Sequence, residues 1–130
     1  MQFLEDLMEQ NIEGCLLRMQ TFFAEIPYVL ENKSEKHYQT MFYLLFRLMG
    51  QFVEAEVYTA TGRIDAMVAL KDGIYLFEFK VDQSAQVALD QIEAKNYAMK
   101  YQLDGRPIYK IGVNFSSKER TLTEWMVKGE

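Results

Sequence analysis

A chain of 130 residues that is 49% hydrophobic and 14% aromatic has the apolar content for one packed domain and is too hydrophobic for disorder. Its formal net charge of −5 argues mildly against nucleic acid as a partner, since phosphate binders usually show a basic footprint, although proteins that gather cations through carboxylates can be acidic overall. No apolar run reaches about 18 residues, no signal-type leader is visible, and the single Cys15 allows neither an intramolecular disulfide nor a thiolate metal cluster, so a reducing cytoplasm fits best.

From the N-terminus, apolar residues from Phe3 to Ile26 recur at spacings of three and four, which predicts an amphipathic helix. Gly14 follows Asn11 closely enough to leave two arrangements open: one helix, or two with Asn11 capping the second. Pro27 closes this segment, because proline disfavours helix at the residue before it. Ser34 then reads as an N-cap, and Tyr38, Met41, Phe42, Leu45, Leu48 and Met49 mark a second helical stripe that stops at Gly50. Glu35 falls in its first turn, where the helix dipole favours an acid, and from the helix mouth it could also reach a metal. His37, the one histidine, has no Cys or acid at ligand spacing and reads as a surface or interface residue.

Gln51 to Thr59 alternates weakly and predicts a strand, with Glu54 and Glu56 opposite in face to Val53, Ala55 and Val57. Glu56 is then either an acid that supports Asp65 from behind or simply exposed. Thr61-Gly62 links it to two further strands, Arg63–Leu70 and Ile74–Val81, joined around Asp72-Gly73. An Asp-Gly pair between apolar runs is a strong hairpin signal. With those two residues as the loop, Leu70 opposes Tyr75, Val68 opposes Phe77, Ala66 opposes Phe79 and Ile64 opposes Val81, an apolar core face. On the other face Asp65 opposes Lys80 and lies diagonal to Glu78, with the carboxylates roughly 7 Å apart at Cβ. Side chains of that length can converge on one divalent cation. The alternative is a cross-strand Asp65–Lys80 ion pair with Glu78 hydrated, stabilising by well under about 1 kcal/mol. Spacing alone leaves the two readings balanced. The apolar run IYLFEF favours the first, because a half-covered acid within it needs a reason.

Ser84 caps a helix expected to run to about Leu103, with Ala85, Ala88, Leu89, Ile92 and Met99 buried. Gln91 and Lys95 sit one turn apart on its flank, either holding phosphate together or lying as ordinary surface residues. Ile108–Phe115 alternates as a strand, and Leu122–Val127 reads as a last one carrying Trp125 at a sheet edge. No P-loop, GxGxxG, GxSxG or HExxH string occurs.

Gly62, Arg63 and Asp65, then twelve residues, then Glu78-x-Lys80, then a helix bearing Gln91, together resemble the PD-(D/E)XK nuclease superfamily over residues 34–115. The strings GRIDAMV, IYLFEFK, ALDQIEAKNYA and KIGVNFSSKERTLTEW are similar to the bacterial nuclease-like domain found C-terminal to AAA-ATPase-like domains, and FFAEIPY and EKHYQTMFYLLFRLMG extend the likeness to nearly the whole chain. The resemblance implies an α/β fold with a restriction-endonuclease-like αβββαβ core, a mixed sheet flanked by helices, and residues 1–33 as a helical lead-in to a nuclease-like domain of residues 34–130. It implies a metal-dependent nuclease acting on DNA, with Mg2+ or Mn2+ held by Asp65 and Glu78. Lys80 would orient the attacking water and stabilise charge on the phosphate. Glu35 resembles an acid that some members place on the first helix. Gln91 resembles the glutamine of the Q-x-x-x-Y motif, but Lys95 stands where that tyrosine would be, with Tyr97 two residues on. Implied partners are nucleic acid, an AAA-ATPase-like domain, and a second copy of the chain if both strands are cut. The competing class is a catalytically silent module of the same fold that binds or regulates beside an ATPase partner.

Overall fold

The apolar face expected of the hairpin is buried, and it is sealed by the first helix. The computed structural model describes residues 12–25, 62–71, 73–119 and 121–129, together with the backbone of residues 52–58. Its elements are helix α1 (Ile12–Ala24), strands β1 (Phe52–Tyr58), β2 (Arg63–Leu70) and β3 (Gly73–Val81), helix α2 (Ala85–Ala94), a 3-10 turn (Tyr97–Tyr101), and strands β4 (Ile108–Ser116) and β5 (Thr121–Lys128). The helix expected over Ser34–Gly50, with Glu35 and His37, lies outside the described residues, as do Asn11 and Asp72.

The strands form one mixed sheet in the order β1-β2-β3-β4-β5. Strands β1, β2 and β3 form an antiparallel meander, α2 crosses over to a parallel β4, and β5 returns antiparallel to it. A parallel neighbour requires such a crossover, which covers one face of the sheet. Ile12, Cys15, Leu16, Met19 and Phe23 of α1 pack on the other face, against Val68, Phe77, Phe79 and Phe115. Phe23 meets Phe115 edge-to-face with centroids 5.2 Å apart, and burying a side chain of that size is worth about 1.5–3 kcal/mol. With a helix on each face, β3 is apolar on both sides, as its near-continuous burial shows. This is the α/β, restriction-endonuclease-like arrangement that the resemblance implies.

The seat of α2 on the sheet depends on Gly112 in β4. A Cβ there would lie 2.5 Å from the Ala85 carbonyl oxygen and 2.7 Å from the Leu89 nitrogen, both backbone atoms that cannot rotate aside. Ala85 and Ala88 complete the small-residue contact. Ser84 caps α2 as expected, its hydroxyl accepting from Val87 N at 3.1 Å.

Two expectations are corrected here. The helix does not run to Leu103: it ends at Ala94 with Lys95 as C-cap, and Asn96 turns left-handed at φ 51°, ψ 45°. Asparagine tolerates that conformation and is a recurrent substitute for glycine just past a helix end. The hairpin register is also displaced by two residues, since Leu70 pairs with Gly73 and Ala66 with Phe77. Gly73 therefore belongs to the strand, paired with Leu70. Tyr75 and Tyr109 stack at 5.0 Å, and a Cβ on residue 73 would meet both rings at 3.1–3.2 Å. Glycine thus serves ring packing at that position, not a positive-φ turn. A slip of two residues changes who faces whom without by itself turning a side chain to the other face; Ile64 is the exception, packing on the α2 side.

Candidate active site

The main-chain pairing of β2 with β3 is registered only as far as Ala66↔Phe77. Beyond that pair Asp65 and Glu78 meet through hydrogen bonds between each carboxylate and the other strand's backbone. The two carboxylates take over there from the ladder. Phe79 N donates to Asp65 Oδ2 at 2.8 Å, and Asp65 N donates, at a longer 3.4 Å, to Glu78 Oε1. Each acid is thus tied to the backbone of the other's strand. Ile64, just beyond, packs with Ile92 and Tyr97 on the α2 side instead of joining the α1-side core.

Burial sharpens the electrostatics. Asp65 is 9% exposed and Glu78 2% exposed. Two buried carboxylates on paired strands repel each other, and a cation shared between them relieves that repulsion. Magnesium is commonly held by one or two carboxylates, with water and substrate phosphate filling the remaining positions. The donor set of hard oxygens fits such an ion, although no group of three His, Cys, Asp or Glu side chains is positioned to share a metal among the described residues.

Lys80 follows Glu78 by two residues on the same face and is half-buried. It is displaced from its expected place opposite Asp65, and no ion pair joins it to Asp65 among the described residues. Its neighbour on the parallel β4 is Asn114, which is 7% exposed and accepts from Gln83 N at 2.9 Å. In sequence Asn114 is one more residue of an alternating strand; its signal is a polar side chain where β4 runs beside Glu78-x-Lys80.

Gln91 projects from α2 onto the site. Its Nε2 donates to Glu78 Oε2 and, at 3.3 Å, to the Tyr97 hydroxyl. Lys95 is exposed at the C-cap, one turn further on. For Glu56 only a register position is described: the pairs Ala55↔Ala66 and Val57↔Ile64 bracket it, which places it across β2 from Asp65.

Comparison with known proteins comes to the same elements. The sequence profile of the PD-(D/E)XK nuclease superfamily matches residues 17–125, a span that contains Asp65, Glu78, Lys80 and Gln91. The chain is also 35% identical over 134 aligned positions to a protein of Azotobacter chroococcum mcd 1 described as an uncharacterized protein in the vnfD 5′ region, with 98% of this chain covered. The match occupies 26% of that longer relative.

Proposed function

Because the chain belongs to the PD-(D/E)XK nuclease superfamily, we propose that it hydrolyses phosphodiester bonds of nucleic acid, DNA first among them, with Mg2+ or Mn2+ as cofactor. The observation that carries this reading is the apposition of buried Asp65 and Glu78 where β2 and β3 part. In this assignment the two carboxylates hold the ion, with Asp65 fixed through Phe79 N and Glu78 through Gln91. A bound divalent ion would polarise the phosphodiester and lower the pKa of a water beside it. Lys80 orients that water by hydrogen bonding and stabilises the charge that develops on the phosphate. Glu35 and Glu56 are assigned as accessory acids and Lys95 as a contact to the substrate backbone. Residues 1–33 are taken as the lead-in to a nuclease-like unit of residues 34–130, working in the cytoplasm. No described helix is long and apolar enough to cross a membrane. The longer relative leaves room for an ATPase-like domain beside the nuclease unit, and cutting both strands of a duplex would call for a homodimer.

The test uses supercoiled plasmid with Mg2+ or Mn2+. Cleavage should occur, stop in chelator, and fall by about a hundredfold or more in Lys80→Ala, while circular dichroism and the urea midpoint stay at wild-type values. Cleavage that survives in chelator or is unchanged in Lys80→Ala overturns the assignment. The net charge of −5 favours one second reading, a catalytically silent module beside an ATPase partner. Absence of calorimetric heat with Mn2+ up to the millimolar range would select it.

A further inference from the structure

We propose that Tyr97 is a positioning residue for the site, acting on Glu78 through Gln91. The inference rests on the assignment of Glu78 as a ligand of the divalent ion. Gln91 Nε2 carries two protons, and the structure uses both: one toward Glu78 Oε2, the other toward the Tyr97 hydroxyl at 3.3 Å. An amide held at one acceptor alone can swing about its terminal torsion. Held at two it is fixed, and so is the carboxylate it binds. Tyr97 can serve as that second anchor because it is itself immobile, being 2% exposed and packed among Ile64, Ile92 and Ile108.

The chain makes two local concessions to bring it there. Asn96 adopts left-handed backbone just past the end of α2, and Tyr97 opens the 3-10 turn that follows, with its hydroxyl beside Gln91. Gly62, immediately before β2, leaves the space into which the ring fits: a Cβ on it would stand 3.0 Å from both Tyr97 Cε1 and the Tyr97 hydroxyl. The phenol is therefore wedged between the strand that carries Asp65 and the helix that carries Gln91. Through the hydrogen bonds from Gln91 and the contact at Gly62, one ring braces the elements behind both acids. Outer groups that orient metal ligands typically govern affinity by about 10–100-fold.

The experiment is Mn2+ calorimetry on the full chain, comparing wild type, Tyr97→Phe, Gln91→Met and the double variant, with circular dichroism as the check on folding. Tyr97→Phe keeps the ring and removes only the hydroxyl. It should raise the Mn2+ Kd about tenfold. In the Gln91→Met background the same change should add nothing, because the hydroxyl acts through that amide. A purely structural tyrosine would give equal effects in both backgrounds. If Tyr97→Phe fails to fold, Gly62→Ala displaces the ring from the opposite side and should produce the same loss of affinity. Wild-type affinity in a folded Tyr97→Phe, or additive effects in the double variant, overturns the proposal alone. No Mn2+ binding by the wild-type chain removes the metal assignment, and this proposal falls with it.

Discussion

Replacing Asp65 should separate its two duties, because the side chain has a structural partner as well as a proposed metal. Its Oδ2 accepts the Phe79 N–H at 2.8 Å in a site where Asp65 is 9% exposed. Asp65→Ala removes the acceptor of a buried backbone hydrogen bond, a loss of about 1–3 kcal/mol. Asp65→Asn keeps a carbonyl oxygen for the same proton and relieves the repulsion with Glu78. Its stability should therefore stay within about 1 kcal/mol of wild type. Both variants lose the negative charge and should lose Mn2+ binding and cleavage. For a urea dependence of about 2 kcal/mol per molar, the alanine variant should unfold at a midpoint lower by about 1 M, and the asparagine variant at one displaced by half that or less. The reasoning is refuted if the alanine variant is as stable as wild type, which would show that the carboxylate does not substitute for the ladder. It is refuted on the functional side if the asparagine variant binds Mn2+ and cuts plasmid normally.

Two further outcomes follow from the frame around the site. Gly112→Ala places a methyl 2.5 Å from the Ala85 carbonyl oxygen, so α2 must lift; the cost should be about 1–3 kcal/mol, read as a fall of about 4 °C or more in thermal midpoint, and an unchanged midpoint would show that the helix seat is looser than described. Glu93 forms ion pairs with Lys128 at 2.9 Å and Lys110 at 3.4 Å; the Lys128 ammonium foremost, and Lys110 besides, holds its carboxyl below the ordinary value of 4.5. A lowered folded value means that this stability is present above pH 4.5 and is lost as pH falls through the lowered value. Urea midpoints from pH 6 to pH 3 should therefore decline less steeply in Glu93→Gln than in wild type, and parallel declines would refute the linkage.

Strand periodicity makes it legible that Glu78 and Lys80 share a face, whereas Asp65 sits beside Ile64, which leaves the face that its place in the strand assigns. Nor does periodicity say which residues face each other. Asp72-Gly73 carries a strong turn signal, yet Gly73 pairs with Leu70 and sits against the Tyr75–Tyr109 stack, a contact between strands separated by the whole α2 crossover. Gly62 and Gly73 both read locally as turn residues, and each proves to make room for a tyrosine that arrives from elsewhere. The end of α2 was misjudged for a related reason: Asn96 is a weaker stop than glycine, and its advantage appears once Tyr97 has somewhere to go. Glu35 lies outside the described residues, and Glu56 is placed by register alone.

These distinctions decide which of the three ionic residues says most about activity. Asp65 and Glu78 continue the β2–β3 connection beyond its last main-chain pair, through Phe79 N and Asp65 N. A copy of this fold that had given up catalysis would still lose stability on losing Asp65, so the presence of the acids is explained by folding as well as by chemistry. Lys80 is different. It is half-buried beside Asn114 and makes no ion pair with Asp65 among the described residues, and its substitution should change stability by about 1 kcal/mol or less. Cleavage measured on Lys80→Ala therefore isolates chemistry from folding in a way that no substitution of the two acids can.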